Sequence, residues 1–230
     1  MLDPRVLKAV RNSVDWYAMM WDIRGLRYAR DAFGFRAIDP PPPFHGWVTL
    51  ASPDAPIPNI VAPFAGLEGF GVKDAFAMHD LSGFGLAKLF EASWLWHSPE
   101  VQADTTGWEK IATPMALEAW ENAWRDTSPS GQRQFLDTIL ERSDVAIWGR
   151  KADDDYDAGV IGNLSRDCVG LSNSFGANAR PAATALCAAF GQGKPVVGYE
   201  RGDDLAEALA TGWQETGPLA VWHSRRKEKP

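Results

Sequence analysis

Cysteine is scarce in this chain. Only Cys168 and Cys187 occur among its 230 residues, and each lies in an apolar stretch. Two isolated cysteines provide neither a disulfide framework nor a cysteine-based metal site. Histidine is also scarce, and no two of its four copies have the spacing of paired metal ligands. We therefore predict that the protein holds no metal.

Basic residues are outnumbered by acidic ones, 23 to 30, which gives a formal net charge of −7. This balance argues against a nucleic-acid partner. No apolar run is long enough to span a membrane, and no charged-then-apolar signal stands at the N-terminus. The opening residues instead predict a helix capped by Asp3, with Pro4 in its first turn. We expect a cytoplasmic protein without a membrane partner.

Common catalytic motifs are missing as well. The sequence contains no G-x-S-x-G motif, no Walker loop and no dinucleotide fingerprint. The acidic run at 153–157 lacks the spacing of a calcium loop, and an acidic hairpin tip is the simpler interpretation. Tryptophan, by contrast, is abundant, with eleven copies. The helical spacing of Trp120 and Trp124 and the strand spacing of Trp94 and Trp96 favour core positions over ligand-stacking platforms.

The most informative segment is 195–223. Val196, Val197 and Tyr199 predict a strand, and Asp203 is a candidate cap for the short helix that follows. Gly212 stands where the C-terminus of a helix favours a positive φ, and a second strand then runs to Trp222. The segment therefore predicts a strand, a short helix and another strand.

The residues before this segment predict a regular order of elements. It begins with a strand at 108–112 and a helix that is capped by Thr113 and has Pro114 at its first position. A second helix is predicted to start at Ser128-Pro129, and its apolar face consists of Phe135, Leu136, Ile139 and Leu140. Three strands follow at 144–149, 158–164 and 168–175, and short polar turns between them favour antiparallel hairpins. A helix over 181–190 completes the order.

This order resembles the GNAT superfamily of acetyl-CoA-dependent N-acyltransferases. There, a strand leads into a short helix written A-x-x-L-Y-E-K-L-G-F, and Gly212-Trp213 stands at its G-F. The resemblance implies a mixed α/β fold, a GNAT-like twisted mixed sheet flanked by helices, over 107–223. It also implies that 168–173 and 195–200 are neighbouring parallel strands that splay apart.

The first half, 1–97, is predicted to be a second α/β unit. Val10, Val14, Tyr17 and Trp21 mark one face of an N-terminal helix. The proline run at 39–43 predicts an extended connector, followed by strands at 45–51 and 57–62. A glycine-rich loop at 66–71, a helix at 81–91 and a strand at 93–97 complete the unit. Its element order fits either a shortened copy of the GNAT fold or an unrelated unit, and the polar stretch 98–106 is the expected junction.

In the GNAT family, a loop written Q/R-x-x-G-x-G/A binds the pyrophosphate of coenzyme A through backbone amides. The corresponding stretch here begins on a strand and ends at a helix start, a geometry that favours anions. Only Gly176 matches the glycines of that loop, and Pro181 removes one donor. The resemblance implies a coenzyme A site formed by Leu171, Ser172, Asn173, Phe175, Gly176, Ala177, Asn178, Ala179 and Arg180; a structural turn is the alternative.

Acyl transfer to an amine requires a proton acceptor for the amine and a proton donor for the thiolate. The family often uses the tyrosine of L-Y-E-K-L-G-F as the donor, and Ala208 stands at that position here. Tyr199 and Glu200 are the nearest substitutes. They are adjacent on a strand and so point to opposite faces.

The resemblance implies an N-acetyltransferase that uses acetyl-CoA and a small-molecule amine. The alternative is a catalytically inactive GNAT-like protein that binds a ligand or regulates another protein. The sequence identifies neither the acceptor amine nor the oligomeric state.

Overall fold

The computed structural model describes residues 2–67, 69–126 and 133–224. Its α-helices are α1 (Pro4–Asp22), α2 (Ile57–Val61), α3 (Pro114–Asp126), α4 (Arg180–Gly191) and α5 (Gly202–Ala210). Its strands are β1 (Tyr28–Asp31), β2 (Gly34–Ala37), β3 (Val48–Leu50), β4 (Gly71–Asp74), β5 (Leu86–His97), β6 (Trp108–Lys110), β7 (Val145–Ala152), β8 (Asp155–Leu164), β9 (Val169–Phe175), β10 (Val196–Glu200) and β11 (Gln214–Ser224). Short 3-10 helices occupy Ala62–Phe64, Ser82–Phe84 and Asp137–Glu141.

The strands of the described residues form one mixed sheet in the order β1-β2-β3-β4-β11-β5-β10-β9-β8-β7-β6. Two neighbouring pairs, β3 with β4 and β9 with β10, run parallel. The remaining pairs are antiparallel. The expected mixed α/β fold, a large sheet flanked by helices, is confirmed.

The second half largely follows the predicted order. The Thr113 hydroxyl accepts a hydrogen bond from the Ala116 amide at 3.2 Å and so caps α3. Gly212 has a φ of +92°, as a helix C-terminus favours. Asp203 does not cap α5, because Arg201 occupies the N-cap and Asp203 lies within the first turn.

The second predicted helix of this half is much shorter than expected. A single 3-10 helix, Asp137–Glu141, stands there, and Ile139 is its buried apolar residue. Phe135 is fully buried but precedes the helix, so it packs into the core without belonging to a helical face. The predicted start at Ser128-Pro129 lies outside the described residues.

Two predictions for the first half are wrong. Residues 57–62 form α2 and the first residue of a 3-10 helix rather than a strand, because Pro58 cannot donate to a strand ladder but is accepted in the first turn of a helix. Residues 81–91 form a 3-10 turn and the start of β5 rather than a helix. There, Gly85, at a φ of +77°, ends the turn, and pairing with β11 overrides local helix preference.

Three strands of the first half were not predicted. The hairpin of β1 and β2 lies between α1 and the proline run at 39–43, and β4 begins at the last glycine of the loop at 66–71. The 45–51 strand is present as the shorter β3. These additional strands extend the sheet beyond β11.

The two halves of the chain share one sheet through β5 and β11. Strand β5 of the first half lies between β11 and β10, and strand β11 of the second half lies between β4 and β5. β5 pairs with β10 from Val196 opposite His97 to Glu200 opposite Ser93, so the predicted strand at 93–97 is present and lies beside a strand of the second half. β11 lies on the other side of β5 and also pairs with β4. The division into units 1–97 and 107–223, and the idea that the first is a copy of the second, stay predictions.

The apolar residues predicted for the core lie there. α1 packs on the sheet through Val10, Val14 and its aromatic residues, and Asp3 caps it by accepting from the Arg5 amide at 2.8 Å. Trp94, Trp120 and Trp124 are buried, as predicted, whereas Trp96 is partly exposed. None of the helices in the described ranges is long and apolar enough to cross a bilayer.

Candidate functional site

The parallel strands β9 and β10 separate along their length. They pair only at Val196 with Val169 and at Val197 with Gly170, next to the crossover helix α4. A Cβ added to Gly198 would lie 3.1 Å from the Leu171 carbonyl oxygen, so the two backbones are still close there. Beyond this point the strands form no pairs with each other, and the predicted splay is confirmed.

A cavity of about 290 Å³ opens at this splay, and α1 contributes to its wall. Residues from both halves of the chain line it. Its polar lining residues are Asn12, Ser13, Tyr17, His45, Lys73, Gln134, Asn163, Ser172, Asn173, Ser174, Tyr199 and Glu200. The cavity therefore joins the strands predicted to hold the site with residues that the sequence did not indicate.

Lys73 places a cation in the cavity wall. Lys73 is 6% exposed, and its Nζ lies 4.8 Å from the ring centroid of Tyr17 and 4.7 Å from that of Tyr199. The ammonium donates to the Ser13 hydroxyl at 3.1 Å. Burial by itself lowers the pKa of Lys73, but the two tyrosine phenols favour the ammonium and bring the balance above the ordinary lysine value.

Tyr199 stands at the mouth of the cavity and is 36% exposed. Its ring packs edge-to-face on Trp94, with centroids 5.5 Å apart, and the Trp94 indole donates to the Ala75 carbonyl at 2.7 Å. β10 and β4 are separated by β11 and β5, so Tyr199 and Lys73 meet across two intervening strands. The structure thus brings the predicted Tyr199 beside a cation.

Glu200 is half-buried and holds Arg180. The Arg180 Nη2 donates to the Glu200 Oε1 at 2.9 Å, and its Nε lies 3.7 Å from the Glu207 Oε2. Burial raises the pKa of Glu200, and Arg180 opposes that effect without reversing it. The residue predicted to bind phosphate and the carboxylate predicted to accept a proton are therefore partners of each other.

His45 and Gln134 form another part of the wall. The His45 Nδ1 lies 2.9 Å from the Pro43 carbonyl oxygen and 3.3 Å from the Gln134 Nε2. Burial, together with the charges of Lys73 and Arg24, lowers the pKa of His45 to about 4. Gln134 is 2% exposed, and its Oε1 has no hydrogen-bond partner among the described residues.

The predicted coenzyme A loop runs from the end of β9 into α4. Asn173, Gly176 and Asn178 have positive φ values of 51°, 102° and 55°. A Cβ at Gly176 would lie 2.5 Å from both the Ala158 Cβ and the Asp157 carbonyl oxygen, so this glycine allows close packing on β8. A bulky residue at Gly176 should therefore disturb folding.

Arg180 lies at the start of α4 and is 7% exposed, so its side chain is buried rather than presented at the surface. The Ser172 hydroxyl, in contrast, lines the cavity and has no hydrogen-bond partner in the described ranges. At the cavity, Ser172 and Asn173 on β9 thus meet Tyr199 and Glu200 on β10.

Sequence reasoning missed the residues contributed by the first half, Lys73 above all. Lys73 lies between Val72 and Asp74 in a short apolar run after a glycine-rich loop. A lone lysine in such a run is a usable signal, because an isolated charge on a central strand is costly to bury. Lys73 was not identified as a site residue because strand β4 itself was not predicted. Asp74 turns to the opposite face and accepts from the His79 amide at 2.8 Å.

Among the described residues, no group of three or more histidine, cysteine, aspartate or glutamate side chains could hold a metal ion. Both cysteines are buried and free. The acidic run at 153–157 forms the turn between β7 and β8 and the start of β8, and the Arg150 guanidinium donates to the Asp157 carboxylate at 2.8 Å.

No protein-family model matches the chain, and no curated protein matches it significantly in sequence. Solved structures match it well in three dimensions. A GCN5-related N-acetyltransferase from Kribbella flavida is 14% identical and superposes with a TM-score of 0.65 over 95% of this chain and 96% of its own.

Two further solved structures cover nearly the whole chain. A GCN5-related N-acetyltransferase-like protein from Streptococcus suis is 11% identical, with a TM-score of 0.52 over 96% of this chain and 98% of its own. A GNAT-family acetyltransferase from Colwellia psychrerythraea is 12% identical, with a TM-score of 0.51 over 98% of each chain. At these identities the likeness concerns the fold.

Proposed function

We propose that this chain, which has the fold of the GNAT acetyltransferases, transfers an acetyl group from acetyl-CoA to a small-molecule amine. The observation that carries the proposal is the splay of β9 and β10, which pair at only two positions and then line a cavity of about 290 Å³. A fold by itself does not establish an activity. The polar residues at the splay supply the chemical argument.

The part of the cavity between the separating strands β9 and β10 fits an acyl thioester. Gly198 has no side chain to fill the gap, and the Ser172 hydroxyl is an unused hydrogen-bonding group beside it. We assign the acyl end to Leu171, Ser172 and Asn173. The backbone of 175–180 would hold the pyrophosphate, because small residues and a helix N-terminus favour a bound anion.

The reaction balances without a further reactant. Acetyl-CoA supplies an activated acyl group; the amine nitrogen bonds to the acyl carbon, the carbon–sulfur bond breaks, the nitrogen loses a proton and the sulfur gains one. We assign proton donation to Tyr199, whose phenol is at the mouth of the cavity. The Lys73 ammonium, 4.7 Å from the centroid of this ring, lines the same cavity.

We assign proton acceptance to Glu200. A carboxylate whose pKa lies above its ordinary value is a better base at neutral pH than an exposed one. Arg180 binds one of its oxygens and fixes its orientation, so Arg180 is a positioning residue in this proposal. Among the described residues, Glu200 is the only carboxylate that lines the cavity.

A second candidate function is binding without turnover. The position of the common family tyrosine is taken by Ala208, which is fully buried, and Pro181 lacks an amide donor. Arg180 is already paired with Glu200 and is not free for a phosphate. These observations favour a GNAT-like protein that binds a ligand and catalyses nothing. The cytoplasmic location stays a prediction in both cases.

Calorimetric titration with acetyl-CoA tests the proposal. We expect binding in the micromolar to low millimolar range, and Ser172→Leu should weaken it at least tenfold by filling the splay. The matched control is Ser98→Leu, at an exposed position outside the cavity, which should bind like the wild type. Absence of binding at millimolar acetyl-CoA would overturn the proposal.

Turnover separates the two candidates. With a panel of small amines, release of free coenzyme A thiol should be measurable, and Tyr199→Phe should reduce kcat far more than acetyl-CoA affinity. Glu200→Gln should remove the fall of kcat at low pH, because the carboxylate whose protonation causes that fall is no longer present. Binding of acetyl-CoA with no thiol release for any amine of the panel would support the non-catalytic candidate.

A further inference from the structure

Lys73 is a buried cation without a described counter-ion. The residue is 6% exposed, and its ammonium forms no ion pair with any residue in the described ranges. Its polar neighbours are the Ser13 hydroxyl and two tyrosine phenols, all of which are uncharged in their ordinary state. Burying a charge without a partner of opposite sign is strongly unfavourable. This setting requires an explanation.

Two carboxylates, those of Asp74 and Glu200, contact groups other than Lys73. Asp74, the next residue along β4, points to the other face and accepts from the amides of Phe76 and His79. Glu200, on the same cavity, is held by Arg180 at 2.9 Å. Lys73 and Glu200 are the charged residues of the cavity wall, and because Glu200 is paired with Arg180, Lys73 is left without an ion-pair partner among the described residues.

The geometry points to an acceptor amine that carries a carboxylate, in the chemical class of the amino acids, with Lys73 binding that carboxylate. This inference rests on the proposed acetyl transfer and names the substrate class for the same cavity. A carboxylate is the single negative charge that matches one uncompensated ammonium, and the Ser13 and Tyr17 hydroxyls supply further donors. A phosphate dianion would leave one charge unmatched.

The rest of the wall fits the same substrate. Gln134 lines the same cavity, and its nearly fully buried Oε1 accepts no hydrogen bond from any residue that the structure describes. An amine nitrogen is a donor, so such an acceptor suits the other end of an amino acid. The cavity volume of about 290 Å³ accommodates a small molecule and excludes a folded partner.

The test measures discrimination between matched amines. Each standard L-amino acid is compared with its own amide and with the corresponding decarboxylated amine, by thiol release in the presence of acetyl-CoA and by calorimetry without it. We expect at least one free acid to bind and react at least tenfold better than its amide. Preference for aminoalkyl phosphonates over the amino acids would overturn the carboxylate assignment, as would equal use of acids and amides.

Lys73→Met is the decisive variant, because it removes the charge and keeps the length of the side chain. It should abolish the acid-over-amide preference while leaving acetyl-CoA affinity within about twofold. Lys88→Met, at a surface lysine whose ammonium contacts Glu91, is the matched control and should keep the preference. A variant that retains the preference would overturn the inference, even if acetyl transfer itself is confirmed.

Thermal unfolding supplies a readout independent of turnover. The preferred amino acid should raise the wild-type unfolding temperature, whereas its amide and sodium chloride at equal ionic strength should not. Lys73→Met should fold, since an apolar replacement of a buried charge is often neutral or stabilising. If it does not fold, Lys73→Gln takes its place with the same expectation. Equal stabilisation by chloride would reveal an adventitious ion only. Failure of the wild-type protein to bind acetyl-CoA would instead refute the proposed function.

Discussion

The Arg180 guanidinium and the Glu200 carboxylate form an ion pair, 2.9 Å long, between the start of α4 and the end of β10. Arg180 is 7% exposed on its side chain and Glu200 23%. The pair closes one side of the splay. It also fixes the spacing between the crossover helix and the strand that this helix leads into.

Breaking this ion pair should destabilise the protein unequally, depending on which partner is removed. Arg180→Met leaves Glu200 without a cation and should lower the free energy of unfolding by about 3 kcal/mol. Glu200→Gln should cost less, because Glu207 remains 3.7 Å from the Arg180 Nε. Urea denaturation of both variants and of the double variant measures the coupling. Additive losses would contradict the pairing, and Arg27→Met, at an exposed pair with Asp39, serves as the small-effect control.

Gly176 should tolerate no side chain. Gly176→Val places a Cβ 2.5 Å from Ala158 at a φ of +102°, and we expect a loss of roughly 3 kcal/mol from overpacking and backbone strain together. Gly193→Val is the matched control, because Gly193 also has a positive φ but nothing within 4 Å of its added Cβ. It should lose about 1 kcal/mol, from strain alone. Equal losses at both positions would show that the contact with β8 is unimportant.

The stability of the protein should fall as the pH drops below about 6.5. His45 has a folded pKa of about 4, below its ordinary value of 6.5, so between these values the unfolded chain binds more protons. The stability present above pH 6.5 is therefore lost as the pH falls toward 4, on the order of 1 kcal/mol per pH unit from this residue. His45→Gln should flatten that slope in denaturation series at pH 7, 6, 5 and 4.5. An unchanged slope would assign the loss to other groups.

Neither cysteine should react with a disulfide reagent in the native state. Burial raises the pKa of Cys168 to about 12 and that of Cys187 above its ordinary value, so the thiolate population at pH 8 is negligible. We expect no release of thionitrobenzoate from the folded protein and two equivalents in denaturant. Rapid labelling of one thiol without denaturant would indicate local opening near α4 or at the start of β9.

The second half of the fold was predictable because its signals are local. Thr113 and Pro114 mark a helix start, Gly212 marks a helix end, and the turns between β7, β8 and β9 contain polar residues. The first half was less predictable, because pairing decides its structure. Residues 86–91 favour a helix by composition, yet they pair with β11 as the first part of strand β5.

The site was predictable only where it lies on those local elements. Tyr199, Ser172 and the splay of the parallel pair were expected because the order of these local elements resembles the GNAT fold. Lys73, His45 and Gln134 reach the cavity through sheet order and the packing of α1, which no short stretch of sequence encodes. The Arg180–Glu200 pair spans 20 positions and two elements, so it too depended on tertiary structure.

Interleaving of β5 and β11 has a consequence for synthesis on the ribosome. β4 and β5 emerge early in translation, yet the strand that joins them, Gln214–Ser224, is made more than a hundred residues later. Until then each has an open edge, and such edges invite pairing with other chains. The nascent first half therefore cannot complete its sheet during elongation, and newly made protein should depend on chaperones more than a chain whose halves close independently.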